Sequence, residues 1–132
     1  MKTAAVALLI ASAIGGSANA QVSIGEAVGE KICIKYGSCQ LDLKKNGFEC
    51  TAISSSSFVR RVCHDNKHNF LTILLNDTWY PYCDVDVLDV LQLIAAPSIE
   101  RHYNENFRSD PSGNRSRFDC RDKSMPDFTA NH

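Results

Sequence analysis

The segment Thr78-Trp79-Tyr80-Pro81-Tyr82-Cys83 decides the fold of this chain. Its residues alternate as in a β-strand, and it follows the apolar run 70–75 after the two-residue turn signal Asn76-Asp77. Residues 58–64 form an earlier strand pattern, and the polar residues 65–69 connect it to the apolar run as a turn. Together the three segments predict an antiparallel meander of three strands.

The turn at Asn76-Asp77 also predicts the register of the last two strands. It places Ile73 opposite Tyr80 and Leu71 opposite Tyr82. Both tyrosines then share the apolar face, which favours core residues with hydroxyls reaching a partner over a stacking platform for nucleic-acid bases. Pro81 has no backbone N–H to donate, so we expect this strand at a sheet edge.

Two helices are predicted after the strands. Asp84 or Asp86 caps the first, residues 87–96, which Pro97 ends. Its apolar residues fall on one face: Val87, Leu88, Leu91, Ile94 and Ala95. Ser98 caps the second, which stops before the loop 110–114. Its inward residues are Ile99, His102, Tyr103 and Phe107.

Residues 1–20 have the pattern of a cleavable signal peptide. Lys2 precedes a short apolar run over residues 4–14, and Ala18-Asn19-Ala20 is a small-x-small cleavage signal. We expect cleavage after Ala20 and a periplasmic or secreted protein. No later segment is long and apolar enough to span a membrane, so we expect no membrane partner after signal removal.

Residues 21–53 predict an N-terminal helix and hairpin extension. Ser23-Ile24-Gly25-Glu26 has the form of a capping box, which predicts a short helix that ends near Gly37 and includes Ile32. The Asn46-Gly47 turn signal predicts a small hairpin between residues 41–43 and 48–50. The domain core then spans residues 54–108, and a C-terminal tail spans 109–132.

The six cysteines of this small exported chain predict three disulfides. Their order along the chain favours the pairs Cys33–Cys39, Cys50–Cys63 and Cys83–Cys120. An alternative combines Cys63–Cys83 with Cys50–Cys120. The fold class that follows is α+β: a small three-stranded antiparallel β-meander followed by two helices, with a disulfide-stapled N-terminal extension and C-terminal tail.

The composition points away from several function classes. There is no Cys-x-x-Cys pair, and His64-Asp65-x-x-His68 falls across a turn, so we expect no metal and no cofactor. The chain has 14 basic and 15 acidic side chains and a net charge of −1, which argues against a dedicated nucleic-acid binder. No nucleophile elbow, phosphate loop or zincin motif is present, so we expect no enzyme activity and no catalytic residues.

Four motifs in order resemble the KTSC domain, a family named for its occurrence at the C-terminus of some lysyl-tRNA synthetases. They are Ser56-Ser57-x-Val59-x-x-Val62, Leu71-x-Ile73-x-Leu75, Tyr80-x-Tyr82, and Tyr103-Asn104-x-x-Phe107-Arg108. The resemblance covers about residues 54–108 and implies a bacterial domain of unknown function, for which RNA binding is suggested. The chain departs from the family's pattern at His64, where the family has tyrosine, and at Glu100, where it tends to have glycine.

A small non-enzymatic binding module is the function class that these observations favour, with a protein or an anionic ligand of the cell envelope as its partner. The candidate binding residues are Arg60, Arg61, Tyr80, Tyr82, Arg101, Asn104 and Arg108. A solvated face with salt bridges to Glu105 is the alternative interpretation of the helical arginines. An RNA-binding domain and an enzyme without a recognisable motif remain as alternative functions.

Overall fold

The computed structural model describes residues 31–110 and 112–128. The predicted signal peptide and most of the predicted N-terminal helix lie outside these residues. Where that helix prediction reaches the described chain it is wrong, because Lys31–Ile32 is a strand (β1). Among the described residues, no helix has the length and apolar character needed to cross a membrane.

The main sheet has four antiparallel strands in sequence order. They are β3 (Glu49–Ala52), β4 (Val59–Asp65), β5 (Phe70–Leu75) and β6 (Thr78–Tyr82). The α+β class is confirmed, but the prediction of a three-stranded meander missed β3. All four residues of β3 are exposed, so the strand carries no alternation of apolar and polar residues from which to predict it. Its backbone ladder with β4 and a disulfide hold it in place.

A second, two-stranded sheet pairs β1 with β2 (Leu41–Asp42). The predicted hairpin around Asn46-Gly47 is therefore wrong, because its two arms pair with different strands. Gly47 does form a turn with a φ of 75°, a value that glycine tolerates. Asp42 stabilises this turn through its side chain, which accepts a hydrogen bond from the Lys45 N–H at 2.9 Å.

The register of β5 and β6 agrees with the prediction. Ile73 pairs with Tyr80 and Leu71 with Tyr82 across the Asn76-Asp77 turn. The β6 strand is the last in the sheet, as expected from Pro81.

Two helices follow β6. Helix α1 (Val87–Ala95) begins with a capping box formed by Asp86 and Asp89, and α2 (Ile99–Asn106) begins at the Ser98 cap. The predicted inward face of α1 is wrong: Val90 and Leu93 are buried, whereas Val87, Leu88 and Leu91 are 47%, 64% and 54% exposed.

The two faces of the main sheet carry two cores. The helices cover one face, where the buried residues include Leu71, Ile73, Tyr82, Leu93, Tyr103, Phe107 and Phe118. The N-terminal segment and the tail cover the other, where they include Ile32, Ile34, Leu41, Phe70, Trp79 and Phe128. The predicted packing of the N-terminal segment against the second face is thus confirmed.

Three disulfides tie these layers together: Cys33–Cys39, Cys50–Cys63 and Cys83–Cys120. They are the pairs favoured from the sequence, and the alternative pairing of Cys63 with Cys83 is not formed. Cys50 and Cys63 are direct partners across β3 and β4. Cys83–Cys120 connects the end of β6 to a short 3-10 helix in the tail, Cys120–Asp122.

Candidate binding cleft

An open cleft of about 980 Å³ lies beside β6. Its walls come from β6 and the β5–β6 turn, from the end of α2, and from tail residues between 119 and 125. Tyr80, Tyr82, Tyr103, Asn104 and Arg108 all line it. A cleft of this volume lies in the range that proteins use for small ligands or for one group of a larger partner.

The innermost polar groups of the cleft are two tyrosine hydroxyls. The Tyr82 and Tyr103 hydroxyl oxygens are 2.7 Å apart, and both residues are buried, at 6% and 5% exposure. Phe107 packs edge-on against the Tyr82 ring, with centroids 5.5 Å apart. Burial raises the pKa of both hydroxyls, so each stays protonated at neutral pH.

Tyr80 occupies a different environment from Tyr82, although both lie on the same face of β6. Tyr80 is only half-buried, and the Lys35 ammonium lies 5.9 Å from its ring centroid. Tyr82 is therefore a core residue that also lines the cleft. Tyr80 presents part of its ring to the cleft.

Arg108 brings an exposed positive charge to the cleft. Within residues 31–110 and 112–128 its guanidinium forms no salt bridge or side-chain hydrogen bond, and nearby Asp110 instead accepts a hydrogen bond from the Ser112 N–H at 2.9 Å. The Arg108 charge also lowers the pKa of the Tyr103 hydroxyl, partly offsetting the effect of burial there. The charge therefore acts at the hydroxyl pair.

On the tail side of the cleft, Arg121 and Asp119 form a salt bridge. The Arg121 guanidinium donates to both carboxylate oxygens of Asp119, at distances of 2.7 to 3.3 Å. These bonds hold the pKa of the Asp119 carboxyl well below its usual range. Lys123 is similarly paired with Asp84 at 3.1 Å.

Tyr36 is a cleft residue that the sequence reasoning missed. It lies in the loop closed by Cys33–Cys39, is 62% exposed, and has a φ of 66°, which is uncommon for a residue other than glycine. Lys35 and Arg121 each lie 5.8 Å from its ring centroid. Its place inside a small disulfide loop was the signal available in the sequence.

The remaining predicted site residues lie elsewhere. Arg60 is at a bulge of β4, and Arg61 lies 5.8 Å from the ring of Trp79 on the sheet face away from the helices. Arg101 is exposed near the start of α2 and does not line the cleft. The structure thus brings together Tyr80, Tyr82, Asn104 and Arg108 of the seven predicted residues.

The outer edge of β6 is closed to further strand pairing. The Lys35 N–H donates to the Trp79 carbonyl at 2.9 Å, and the Cys83 N–H donates to the Phe118 carbonyl at 2.7 Å. Backbone groups alternate in direction along a strand, so Pro81 is the residue between them that faces outward, and it has no N–H.

His64 and His68 make structural contacts. The buried His64 ring bonds through Nε2 to the Val85 carbonyl at 2.7 Å, and His68 Nδ1 lies 2.5 Å from the buried carboxylate of Asp65. No group of three or more His, Cys, Asp or Glu side chains in the described part of the chain is placed to hold a metal ion.

The sequence model of the KTSC domain family matches residues 55–110. Residues 55–110 of the chain are therefore identified as a KTSC domain. No curated protein matches the chain, and no solved structure matches it.

The cleft is built from the KTSC domain and from segments outside it. The domain supplies the tyrosine hydroxyl pair, Tyr80, Asn104 and Arg108. Tyr36 comes from the N-terminal extension, and Asp119 and Arg121 from the tail. All three disulfides have at least one cysteine in these added segments, and two of them, Cys33–Cys39 and Cys83–Cys120, sit next to residues that line the cleft.

Proposed function

We propose that this protein is an exported, non-enzymatic binding module whose cleft takes an anionic group of a partner in the cell envelope. The observation that supports this most directly is Arg108, an exposed guanidinium in the cleft wall with no salt bridge among the described residues. Three disulfides in a domain of this size are consistent with export.

The site that favours an anion is local to Arg108, since the whole chain has a net charge of −1 and the cleft wall also carries the Asp77 and Asp119 carboxylates. Asp119 compensates Arg121, and Asp84 compensates Lys123. Arg108 has no such salt-bridge partner in residues 31–110 and 112–128. A ligand in the cleft would meet this one positive charge beside tyrosine rings. Charge-assisted hydrogen bonds to an anion are stronger than neutral ones.

The partner is expected to engage side chains rather than extend the sheet. The backbone groups of Trp79 and Cys83 already bond to neighbouring segments, and Pro81 has no N–H, so a peptide strand cannot pair with the outer edge of β6. A ligand in the cleft therefore binds to side chains.

The alternative of RNA binding is less well supported by the same residues. A base-stacking platform needs exposed ring faces, but Tyr82 and Tyr103 are buried, Tyr80 is half-buried, and among the tyrosines of the cleft only Tyr36 is mostly exposed. Catalysis through a tyrosine phenolate is not favoured either, since the two hydroxyls stay protonated at neutral pH and so supply no phenolate nucleophile or base.

A titration of the mature chain, followed by heteronuclear NMR, tests the proposal. Sulfate, phosphate and acetate are added separately at low ionic strength, with a single-stranded oligonucleotide as a further probe. We expect saturable backbone shifts centred on Tyr80, Asn104 and Arg108 for at least one small anion. Arg108→Ala should abolish them.

Arg101→Ala is the matched control, since Arg101 lies on the same helix, is exposed and is outside the cleft. It should bind like the parent protein. Shifts that survive Arg108→Ala would overturn the proposal. Oligonucleotide binding with a steep dependence on salt would favour the RNA alternative.

A further inference from the structure

The Tyr82 and Tyr103 hydroxyls carry one more hydrogen than their mutual bond uses. Each hydroxyl has one hydrogen, and the 2.7 Å contact uses one of the two. No other side-chain or backbone acceptor in residues 31–110 and 112–128 bonds to either oxygen. One phenol hydrogen is therefore free to bond to an acceptor outside the pair.

The packing around the two tyrosines fixes the position of the hydroxyl that carries the free hydrogen. Both residues are more than nine-tenths buried, and their rings are held by Phe107 and Phe58, with centroids 5.5 Å and 5.9 Å away. Both also line the cleft. A neutral hydroxyl with a raised pKa gives a hydrogen bond to an anion without itself becoming charged.

The other groups in the cleft limit the class of anion that it can bind. Arg108 supplies one positive charge that acts on this pair and forms no salt bridge in the described residues, whereas the Asp77 and Asp119 carboxylates line the same cleft and disfavour a second negative charge on the ligand. Phe58 and Leu75 add apolar surface on the side of the β5–β6 turn. One charge, one hydroxyl donor and an apolar wall match a monocarboxylate with an apolar body better than a phosphate.

We infer that the cleft recognises a carboxylate on an apolar body. The carboxylate accepts a hydrogen bond from the free hydroxyl hydrogen of the Tyr82–Tyr103 pair and forms an ion pair with Arg108. This inference rests on the proposed function, because it names the ligand class of the same cleft. The carboxylate has two sources, a free organic acid or the C-terminus of a peptide.

Binding of matched acids and amides to the mature chain tests the inference. The probes are phenylacetate against phenylacetamide, and a short peptide ending in phenylalanine with a free or an amidated C-terminus. We expect each acid that binds to have an affinity about tenfold or more above that of its amide and above that of inorganic phosphate. Binding of the free acid, the peptide acid or both supports the inference, and the pattern identifies the source.

Removal of hydroxyls separates this arrangement from simple charge attraction. Tyr82→Phe or Tyr103→Phe alone leaves one hydroxyl whose hydrogen is free, so each single variant should retain affinity to within a few-fold. The double variant leaves none and should lose about tenfold or more. Because it removes both partners of the bond at once, it should still fold, which a thermal melt checks.

The inference is overturned if the amides or phosphate bind as well as the acids, if no carboxylate binds, or if the double variant binds like the parent. Arg108-dependent binding of sulfate or phosphate in the cleft would then leave the broader proposal of an anion-binding module standing. Absence of any Arg108-dependent binding would remove both.

Discussion

The Glu100 carboxylate accepts a hydrogen bond from the Ser57 backbone N–H at 2.5 Å, joining the first turn of α2 to the loop before β4. The same oxygen accepts from the Ser56 and Ser57 hydroxyls, each at 2.8 Å. These bonds lower the Glu100 pKa below its ordinary value of 4.5. The residue that departs from the family's tendency to glycine is thus the one that anchors this loop.

Glu100→Gln should lower the melting temperature at neutral pH, because the charged acceptor is lost. A carboxyl whose pKa is lowered by folding stabilises the protein above its unfolded pKa, and this contribution disappears as the pH falls through the folded pKa. The difference between variant and parent should therefore shrink as the pH falls below the ordinary pKa of 4.5. Thermal melts across this range measure it.

Glu105→Gln is the control for that experiment. Glu105 is exposed on the same helix, and it makes no side-chain hydrogen bond within the described ranges. It should melt like the parent at every pH. A Glu100→Gln difference that stays constant down to about pH 2 would contradict the assignment of the effect to the carboxylate charge.

Tyr82→Ala should lower the free energy of unfolding by about 3–5 kcal/mol, because it leaves a cavity between the sheet and α2. Tyr82→Phe keeps the ring and should lose only about 1 kcal/mol. Chemical denaturation of both variants tests this. Equal stability of the alanine variant and the parent would mean that the tyrosine is not part of the core.

The corrected inward face of α1 leads to a matched pair of variants. Leu93 is fully buried, so Leu93→Ala should lower the free energy of unfolding by about 2–5 kcal/mol. Leu91 is 54% exposed, and Leu91→Ala should change it by less than about 0.5 kcal/mol. Similar losses of unfolding free energy in both variants would contradict the observed burial and favour the inward face predicted from the sequence.

The Cys83–Cys120 disulfide should matter for both stability and the cleft. It closes a sequence separation of 37, against 6 for Cys33–Cys39. Replacing both cysteines by alanine should reduce the free energy of unfolding by about 2–5 kcal/mol, more than the same change at Cys33 and Cys39. It should also weaken binding in the cleft, since the next residue, Arg121, lines the wall. An unchanged affinity would show that the tail is dispensable for the site.

The intact mass of the exported protein tests the processing prediction. It should begin at Gln21, with or without cyclisation of that residue, and be six hydrogens lighter than the reduced chain, since three disulfides are formed. Alkylation under denaturing conditions should label no cysteine. A labelled thiol, or a mass that includes the first 20 residues, would contradict the respective part of the prediction.

Local patterns predicted much of the KTSC core and part of the cleft. A two-residue turn sets the pairing of Ile73 with Tyr80 because register follows from loop length. Ser98 was predicted as a cap, and Asp84 or Asp86 as the other, because a capping side chain bonds within its own first turn; the structure has Asp86. Arg101, predicted together with Arg108, does not line the cleft, because helical spacing between two residues does not determine which other segments lie beside each of them.

The sequence by itself determined the order of β4, β5, β6, α1 and α2, the register of β5 and β6, and the favoured disulfide pairs. It also determined that Tyr80 and Tyr82 share one face of β6. Only the tertiary structure decided which side of α1 is buried, since all but Asp89 and Gln92 of its residues are apolar and no polar stripe marks a face. It also decided the pairing of β3, which buries no side chain, and the meeting of Tyr36, Arg108 and Arg121 at one cleft. Such contacts join segments distant in the chain, and local periodicity carries no information about them.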